Sequence, residues 1–412
     1  MNLKIDQGRL SSEIEELAGF SDSDAPAVTR IVFTPADLKA RSWVKSHCQD
    51  GGLAVHADAI GNTFARWAGS DPLAPVVGTG SHIDAIPNAG KFDGVVGVLG
   101  GLEAIRALQR ARFRPRHSIE LLIFTSEEPT RFGIGCIGSR LLSGALSPDA
   151  AANLTDKDGA SLEQIRERTG FTGELEKVKL PAGYYKAFVE LHIEQGPVLE
   201  REGKQLGLVE RIAAPASLNI DIEGSGGHAG GVLMPDRRDA LCGAAELILA
   251  LELAARSSGS NDTVATIGIC DVFPGAVNSI PARVRLTIDI RDTSLPRRDS
   301  LIRSLDEVFR SIAAKRDLKI NAGLLNADAP AESDPAVVEA IRRACQKHDV
   351  SFIPMTSRAY HDSLFMARIA PAGMLFIPCR GGYSHRPDEY ASPEDIARGT
   401  LVLAEALAAL AA

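Results

Sequence analysis

Ile119-Glu120-Leu121-Leu122-Ile123-Phe124-Thr125-Ser126-Glu127-Glu128-Pro129 is an apolar run that ends on two adjacent acids and a proline. The run reads as a buried strand of an α/β sheet. Two acids at its tip are costly, because a carboxylate leaving water takes up a proton unless a cation holds it ionised. Alone, a Glu-Glu pair is more often a solvated turn. Its company elsewhere in the chain decides between these readings.

A second apolar strand, Pro75-Val76-Val77-Gly78-Thr79-Gly80-Ser81-His82-Ile83-Asp84, delivers a histidine and an aspartate at its C-terminal end. Ligands of open α/β sheets gather at that end. Positions i and i+2 of a strand share a face, so Asp84 is expected to orient the His82 ring through its second nitrogen. Asp93 precedes the apolar, glycine-bearing helix that begins at Val95 and suits an N-cap, a metal ligand or both. In Ala187–Pro197, alternation puts Glu190, His192 and Glu194 on one face of a strand. A half-exposed edge strand accounts well for Glu190 but less well for His192 beside its Gly-Pro stop.

The chain of 412 residues is long for one core, and two or three domains are expected. Its net charge of −8 and lack of any Lys/Arg block argue against nucleic acid. No stretch approaches the ~18 to 20 apolar residues of a membrane helix, and the polar start Met1-Asn2-Leu3-Lys4 lacks a secretory pattern. The six cysteines are dispersed, without a C-x-x-C pair, and read as small buried hydrophobes of a reducing cytoplasm.

A new module begins near Arg211. Strand-like Ser217–Glu223, a helix over Met234–Ala255, strands Thr263–Cys270 and Ala282–Ile290, a helix from Ser300 and a strand Leu318–Leu324 follow. That β-α-β-β-α-β order matches the ferredoxin-like unit. The expected organisation is a discontinuous domain of residues 1–211 and 328–412 with residues 212–327 inserted as an α+β domain. The segment Ala145–Pro181 is polar and weakly periodic, and reads as an excursion outside the core.

Collected, the strand-end and loop residues are His82, Asp84, Asp93, Glu127, Glu128, His192 and His385. Imidazole with carboxylate and no sulfur favours Zn²⁺, Mn²⁺ or Co²⁺. Three histidines and two acids suffice for two metals sharing one carboxylate, which leaves one Glu as a base. Such a pair activates water and polarises a carbonyl, which points to a dinuclear hydrolase.

GSHIDAIPNAGKFDG (80–94), FTSEEPTRFG (124–133), ELHIEQGPVLE (190–200), GSGGHAGGVLMPDRRDA (224–240), PGAVNSIPARVRLTIDIRD (274–292) and GYSHRPDEY (382–390) together resemble the M20-type metallo-amidohydrolases. The resemblance is to the branch of N-carbamoyl-L-amino acid, allantoate and ureidoglycolate amidohydrolases, and runs in matching order from about Asp58 to the C-terminus. It implies a metallopeptidase-like α/β catalytic domain with a central mixed sheet, and an inserted ferredoxin-like lid and dimerisation domain.

It also implies two divalent ions, Mn²⁺ or Zn²⁺, per subunit of a cytoplasmic homodimer. One ion would take His82, Asp93 and His192, the other Asp93, Glu128 and His385, with Asp93 bridging. Glu127 would be the general base and Asp84 the support of His82. His228 would steady the oxyanion in the partner subunit's site. Gln195, Asn278 and Arg291 would hold a small ureido-acid substrate, with Arg291 clamping its carboxylate. From the residues alone, Arg291 is better explained by an ion pair with Asp289 or Asp292.

Within the branch, SRAYHDS (357–363), Val-Leu-Met at 232–234, Pro-Thr at 129–130 and FMARIAPAGMLFIPC (365–379) are similar to ureidoglycolate amidohydrolases. The Tyr360 hydroxyl would bond the substrate's α-hydroxyl, and its bulk would exclude larger side chains. The resemblance thus implies hydrolysis of the ureido C–N bond of (S)-ureidoglycolate, releasing ammonia and CO₂ and leading to glyoxylate. The neighbouring expectation is an N-carbamoyl-L-amino acid or allantoate amidohydrolase of the same mechanism.

Overall fold

The computed structural model describes residues 2–412. By its contacts the chain divides into two compact units. One comprises residues 1–211, 332–357 and 361–412, the other residues 212–331 with 358–360.

The first unit is built on a mixed sheet ordered Ala331–Glu332, Leu206–Ile212, Ala372–Ile377, Tyr185–Ile193, Val76–His82, Ile119–Phe124, Thr63–Trp67 and Ala54–Ala57, with Phe352–Ser357 pairing Leu206–Ile212. Its four middle strands, from Ala372–Ile377 to Ile119–Phe124, are mutually parallel. They need both faces covered, and the pattern of burial shows it. In Ile119–Phe124, Ile119, Leu121 and Ile123 join one apolar cluster, whereas Leu122 and Phe124 join the other. Helices Gln7–Ala18, Val95–Arg110, Pro335–Lys347 and Pro393–Ala411 supply the first cluster. Each fully buried Leu or Phe contributes roughly 1.5–3 kcal/mol relative to exposure. The buried polar side chain of Glu120 is accommodated inside this strand because it accepts from Arg66 Nε at 2.8 Å and from the Tyr185 hydroxyl at 2.8 Å.

Residues 145–181 are not an excursion. Ala151, Leu162, Ile165, Leu175 and Val178 are buried in the second cluster beside Phe64 and Phe124. Their spacing is irregular because they are delivered by the short helices Pro148–Ala152 and Leu162–Arg168 and a single 3₁₀ turn. The cysteine reading also needs correction, since Cys242 and Cys270 are exposed rather than buried.

The second unit is a four-stranded antiparallel sheet ordered Val264–Phe273, Arg283–Asp292, Ala214–Glu223, Lys319–Ala327. Its helices, Ala240–Arg256 and Leu295–Arg316, bury Leu247, Leu251, Leu305 and Phe309 against Ile220, Leu286 and Ile288. The first helix starts at Ala240 rather than Met234, because Asp239 caps it by accepting from the N–H groups of Leu241 and Cys242. The second starts at Leu295, five residues before the expected Ser300, with Ser294 as cap and proline in its first turn. Among the described residues, no helix is long and apolar enough to cross a membrane.

Candidate metal centre

The parallel strands deliver their polar residues to one edge of the first unit. His82 ends its strand, Glu127 and Glu128 follow Phe124 by three and four residues, and His192 is the penultimate residue of its strand. His385 lies in the loop after Ala372–Ile377, and Asp93 in the turn before Val95–Arg110.

Asp93 is the meeting point. Its Oδ1 lies 3.1 Å from His192 Nε2 and 3.7 Å from His82 Nε2. Its Oδ2 lies 3.2 Å from His385 Nε2, which is 3.5 Å from Glu128 Oε1. Two donor groups therefore share Asp93, one with His82 and His192, the other with Glu128 and His385, and within each the donor atoms lie no more than 4.8 Å apart.

The chemistry of these atoms fits divalent cations. His82 Nδ1 faces the Asp84 carbonyl at 3.0 Å, and His192 Nδ1 the Ile193 carbonyl at 2.9 Å. A carbonyl only accepts, so Nδ1 carries the proton in each neutral ring and Nε2 presents a lone pair. Gly94 N–H donating to His192 Nε2 at 3.2 Å agrees with that tautomer. Both Nε2 atoms approach Asp93 Oδ1, a buried acceptor with no hydrogen-bond donor. Tetrahedral bonds of about 2.0–2.2 Å separate neighbouring donors by about 3.3–3.6 Å. The separations here, 3.1 to 3.7 Å, bracket that range.

The charge balance points the same way. Burial, then the charges of Glu128, Asp362, Asp93 and Asp84, pushes the Glu127 carboxyl well above the usual range. Burial raises Glu128 to about 8 against the pull of His385. Burial also opposes ionisation of Asp93, yet the close approach of His192 and His385 holds it well below the carboxylate range. Burial lowers His82 to about 4, whereas at His192 the adjacent Asp93 carboxylate outweighs burial and raises it to about 9. Burial and mutual repulsion disfavour the anionic forms of Glu127 and Glu128, a cost a bound cation relieves.

Strained backbone also occurs at the centre. Ser126, Cys136, Gln195 and His385 all adopt left-handed φ of 55° to 60°, unusual for residues with side chains. Gly94 has φ 66°, and a Cβ there would lie 2.5 Å from His82 Nε2.

Several expected roles change. The His82 ring is held by the backbone carbonyl of Asp84; the carboxylate is 3.8 Å away, too far for a hydrogen bond. That carboxylate instead accepts the N–H groups of Glu127 and Glu128. Asp93 does not cap its helix by its side chain, since the N-cap is Gly94. Glu190 is no half-exposed edge residue. It is fully buried in an interior strand, accepting from Ser81 Oγ at 2.8 Å and Ser363 Oγ at 2.5 Å. Gln195 donates to Asp93 Oδ2 at 2.8 Å.

In the second unit, His228 is exposed and its Nδ1 accepts from Gly230 N–H at 3.1 Å. Asn278 adjoins it, its carbonyl accepting from Ala229 N–H at 2.9 Å. Arg291 pairs with Asp289 through Nε at 2.7 Å and Nη2 at 3.3 Å, and its guanidinium lies 5.4 Å from the Tyr360 ring centre. Asp289 is thus the ion-pair partner of Arg291, while Asp292 accepts from Arg297.

Two buried acids had no assigned role. Asp362 accepts from Ser139 Oγ at 2.5 Å. Glu389 accepts from Phe92 and Asp93 N–H, and its only sequence signal was its place within GYSHRPDEY.

The profile of peptidase family M20/M25/M40 matches residues 78–409, a span that contains every donor above. The chain belongs to this family. It is a metal-dependent family, and its hydrolase chemistry agrees with the donor set. The chain is 50% identical to a ureidoglycolate hydrolase of Arabidopsis thaliana, over 99% of this chain and 87% of that one. It is 37% identical to an N-carbamoyl-L-amino acid amidohydrolase of Geobacillus stearothermophilus, over 96% of both. The crystal structure of AtUAH in complex with (S)-hydroxyglycine superposes with TM-score 0.96 at 50% identity, covering 99% of this chain and 98% of that one.

Proposed function

We propose that this protein hydrolyses the ureido C–N bond of (S)-ureidoglycolate, releasing ammonia and CO₂ and leading to glyoxylate. The observation that carries this reading is the near full-length, 50% identity to a ureidoglycolate hydrolase. The similar AtUAH structure with (S)-hydroxyglycine supports it chemically. One water added to ureidoglycolate gives that compound plus one ammonia and one CO₂, and loss of a second ammonia from hydroxyglycine leaves glyoxylate.

His82, Asp93 and His192 would hold one divalent ion, and Asp93, Glu128 and His385 a second, Mn²⁺ or Zn²⁺ in each case. When bound, such ions supply Lewis acidity that polarises the ureido carbonyl and makes water a nucleophile near neutral pH. Glu127 takes the proton of the attacking water and returns it to the leaving nitrogen. Its burial among other acids favours holding that proton between the two transfers. Arg291 clamps the substrate carboxylate as a planar fork, Gln195 and Asn278 position the rest, and Tyr360 bonds the α-hydroxyl. The contact between Arg291 and the Tyr360 ring supports assigning both to one end of the substrate.

Residues 212–327 act as lid and dimerisation domain, with His228 stabilising the oxyanion in the partner subunit's site. The dimer is supported by the exposed apolar residues Leu249 and Leu253, each 65% exposed on helix Ala240–Arg256, and by Ile269 on the edge strand Val264–Phe273. Six free cysteines support a reducing cytoplasm.

The test is ammonia release from ureidoglycolate, allantoate and several N-carbamoyl-L-amino acids, with Mn²⁺ and with Zn²⁺. Ureidoglycolate should be preferred in kcat/KM by about 100-fold or more, as expected where a site bonds a substrate hydroxyl. Preference for a carbamoyl amino acid would overturn the substrate and leave the reaction class standing.

A further inference from the structure

We propose that Glu389 is a positioning residue that latches Asp93 to the His385 loop; this rests on the metal-centre reading above. Glu389 is only 4% exposed. Its Oε1 accepts from Phe92 N–H at 2.8 Å and from Asp93 N–H at 3.1 Å. Its Oε2 accepts from Ser384 Oγ at 2.8 Å, and that hydroxyl lies 3.1 Å from Asp93 Oδ2. One carboxylate therefore grips the backbone of Asp93 and the residue next to His385, two segments about 290 residues apart in sequence.

The surroundings are shaped around this group. Gly90 has no side chain, and a Cβ there would lie 2.3 Å from Glu389 Cβ and 2.4 Å from its Oε1. Gln195 completes a ring by donating to Asp93 Oδ2 at 2.8 Å and to Ser384 Oγ at 3.3 Å. A hydroxyl has one proton, so Ser384 accepts from Gln195 and donates to one of the two carboxylates it touches. Asp93 is the only residue common to both donor groups. Fixing its backbone from one side and its Oδ2 from the other sets the spacing of both groups at once. An acid that merely stabilised its own loop would need no bond to the Phe92 and Asp93 N–H groups. Groups that orient metal ligands in this way typically change metal affinity by about 10–100-fold.

The experiment titrates Mn²⁺ alone into metal-stripped protein by calorimetry and records the thermal midpoint of each metal-free variant. Glu389→Ala should weaken Mn²⁺ binding about 10–100-fold. Glu389→Gln should stay within about threefold of wild type, because one amide oxygen can accept both backbone N–H groups and the amide NH₂ can donate to Ser384. Ser384→Ala, the variant to rely on if Glu389→Ala does not fold, should weaken binding by about threefold or more with an unchanged metal-free midpoint. Wild-type affinity in Glu389→Ala or Ser384→Ala, or equal losses in the Ala and Gln variants of Glu389, would overturn the latch alone. A wild-type protein that binds no Mn²⁺ would overturn the metal-centre reading with it.

Discussion

The carboxylate of Asp84 accepts the backbone N–H of Glu127 at 3.3 Å with one oxygen and that of Glu128 at 3.1 Å with the other. The same residue's carbonyl orients the His82 ring. Asp84 thus ties the end of one strand to the tip of its parallel neighbour and fixes where both glutamates begin.

Asp84→Asn should therefore act on geometry. An amide supplies one acceptor where two are used and turns a donor toward an N–H group. Turnover should fall about 10–100-fold, with the two glutamates unchanged in identity. Steady-state kinetics beside metal analysis checks this, and wild-type turnover would show that the Asp84 bonds do not matter.

Gly94→Ala tests the closest approach in the centre. A side chain at φ 66° costs about 1 kcal/mol or more. Its Cβ would also press on the His82 ring, at 2.5 Å from Nε2. The variant should melt below wild type and lose most of its bound metal, read by thermal denaturation and elemental analysis.

These sites were legible to different degrees. His82, Glu128 and His192 stand at the ends of apolar strands, where a polar residue contradicts its surroundings and so announces itself. The role of Asp84 was not legible, because a one-dimensional pattern cannot distinguish a side chain that orients a ring from a carbonyl that does. Asp362 and Glu389 find their partners 223 and 297 residues away, separations at which no periodicity speaks. Val178 and Leu175 were hidden for another reason: a single 3₁₀ turn delivers them to the core, too short to show a face. The second unit was readable as an element order because its strands alternate and its helices carry apolar stripes, yet two helix starts moved to where Asp239 and Ser294 cap them.

His228→Ala should lower kcat more than it raises KM, since an oxyanion donor acts chiefly in the transition state. A loss of about 100–1,000-fold is expected. An unchanged kcat would remove His228 from the mechanism.

Tyr360→Phe removes one hydroxyl and leaves the ring facing Arg291. For ureidoglycolate, kcat/KM should fall by about threefold to tenfold, the worth of one neutral hydrogen bond. N-carbamoylglycine, which lacks the α-hydroxyl, should show no loss. Equal losses on both substrates would contradict a role in reading that hydroxyl.

The most direct measurement returns to the adjacent acids at the tip of Ile119–Phe124. Metal content and turnover should be measured side by side in Glu127→Gln and Glu128→Gln. Glu127→Gln should keep its full complement of metal and lose turnover by about 100-fold or more, while Glu128→Gln should bind metal more weakly. Equal metal content in both variants, or substantial turnover in Glu127→Gln, would contradict the division of labour between base and ligand.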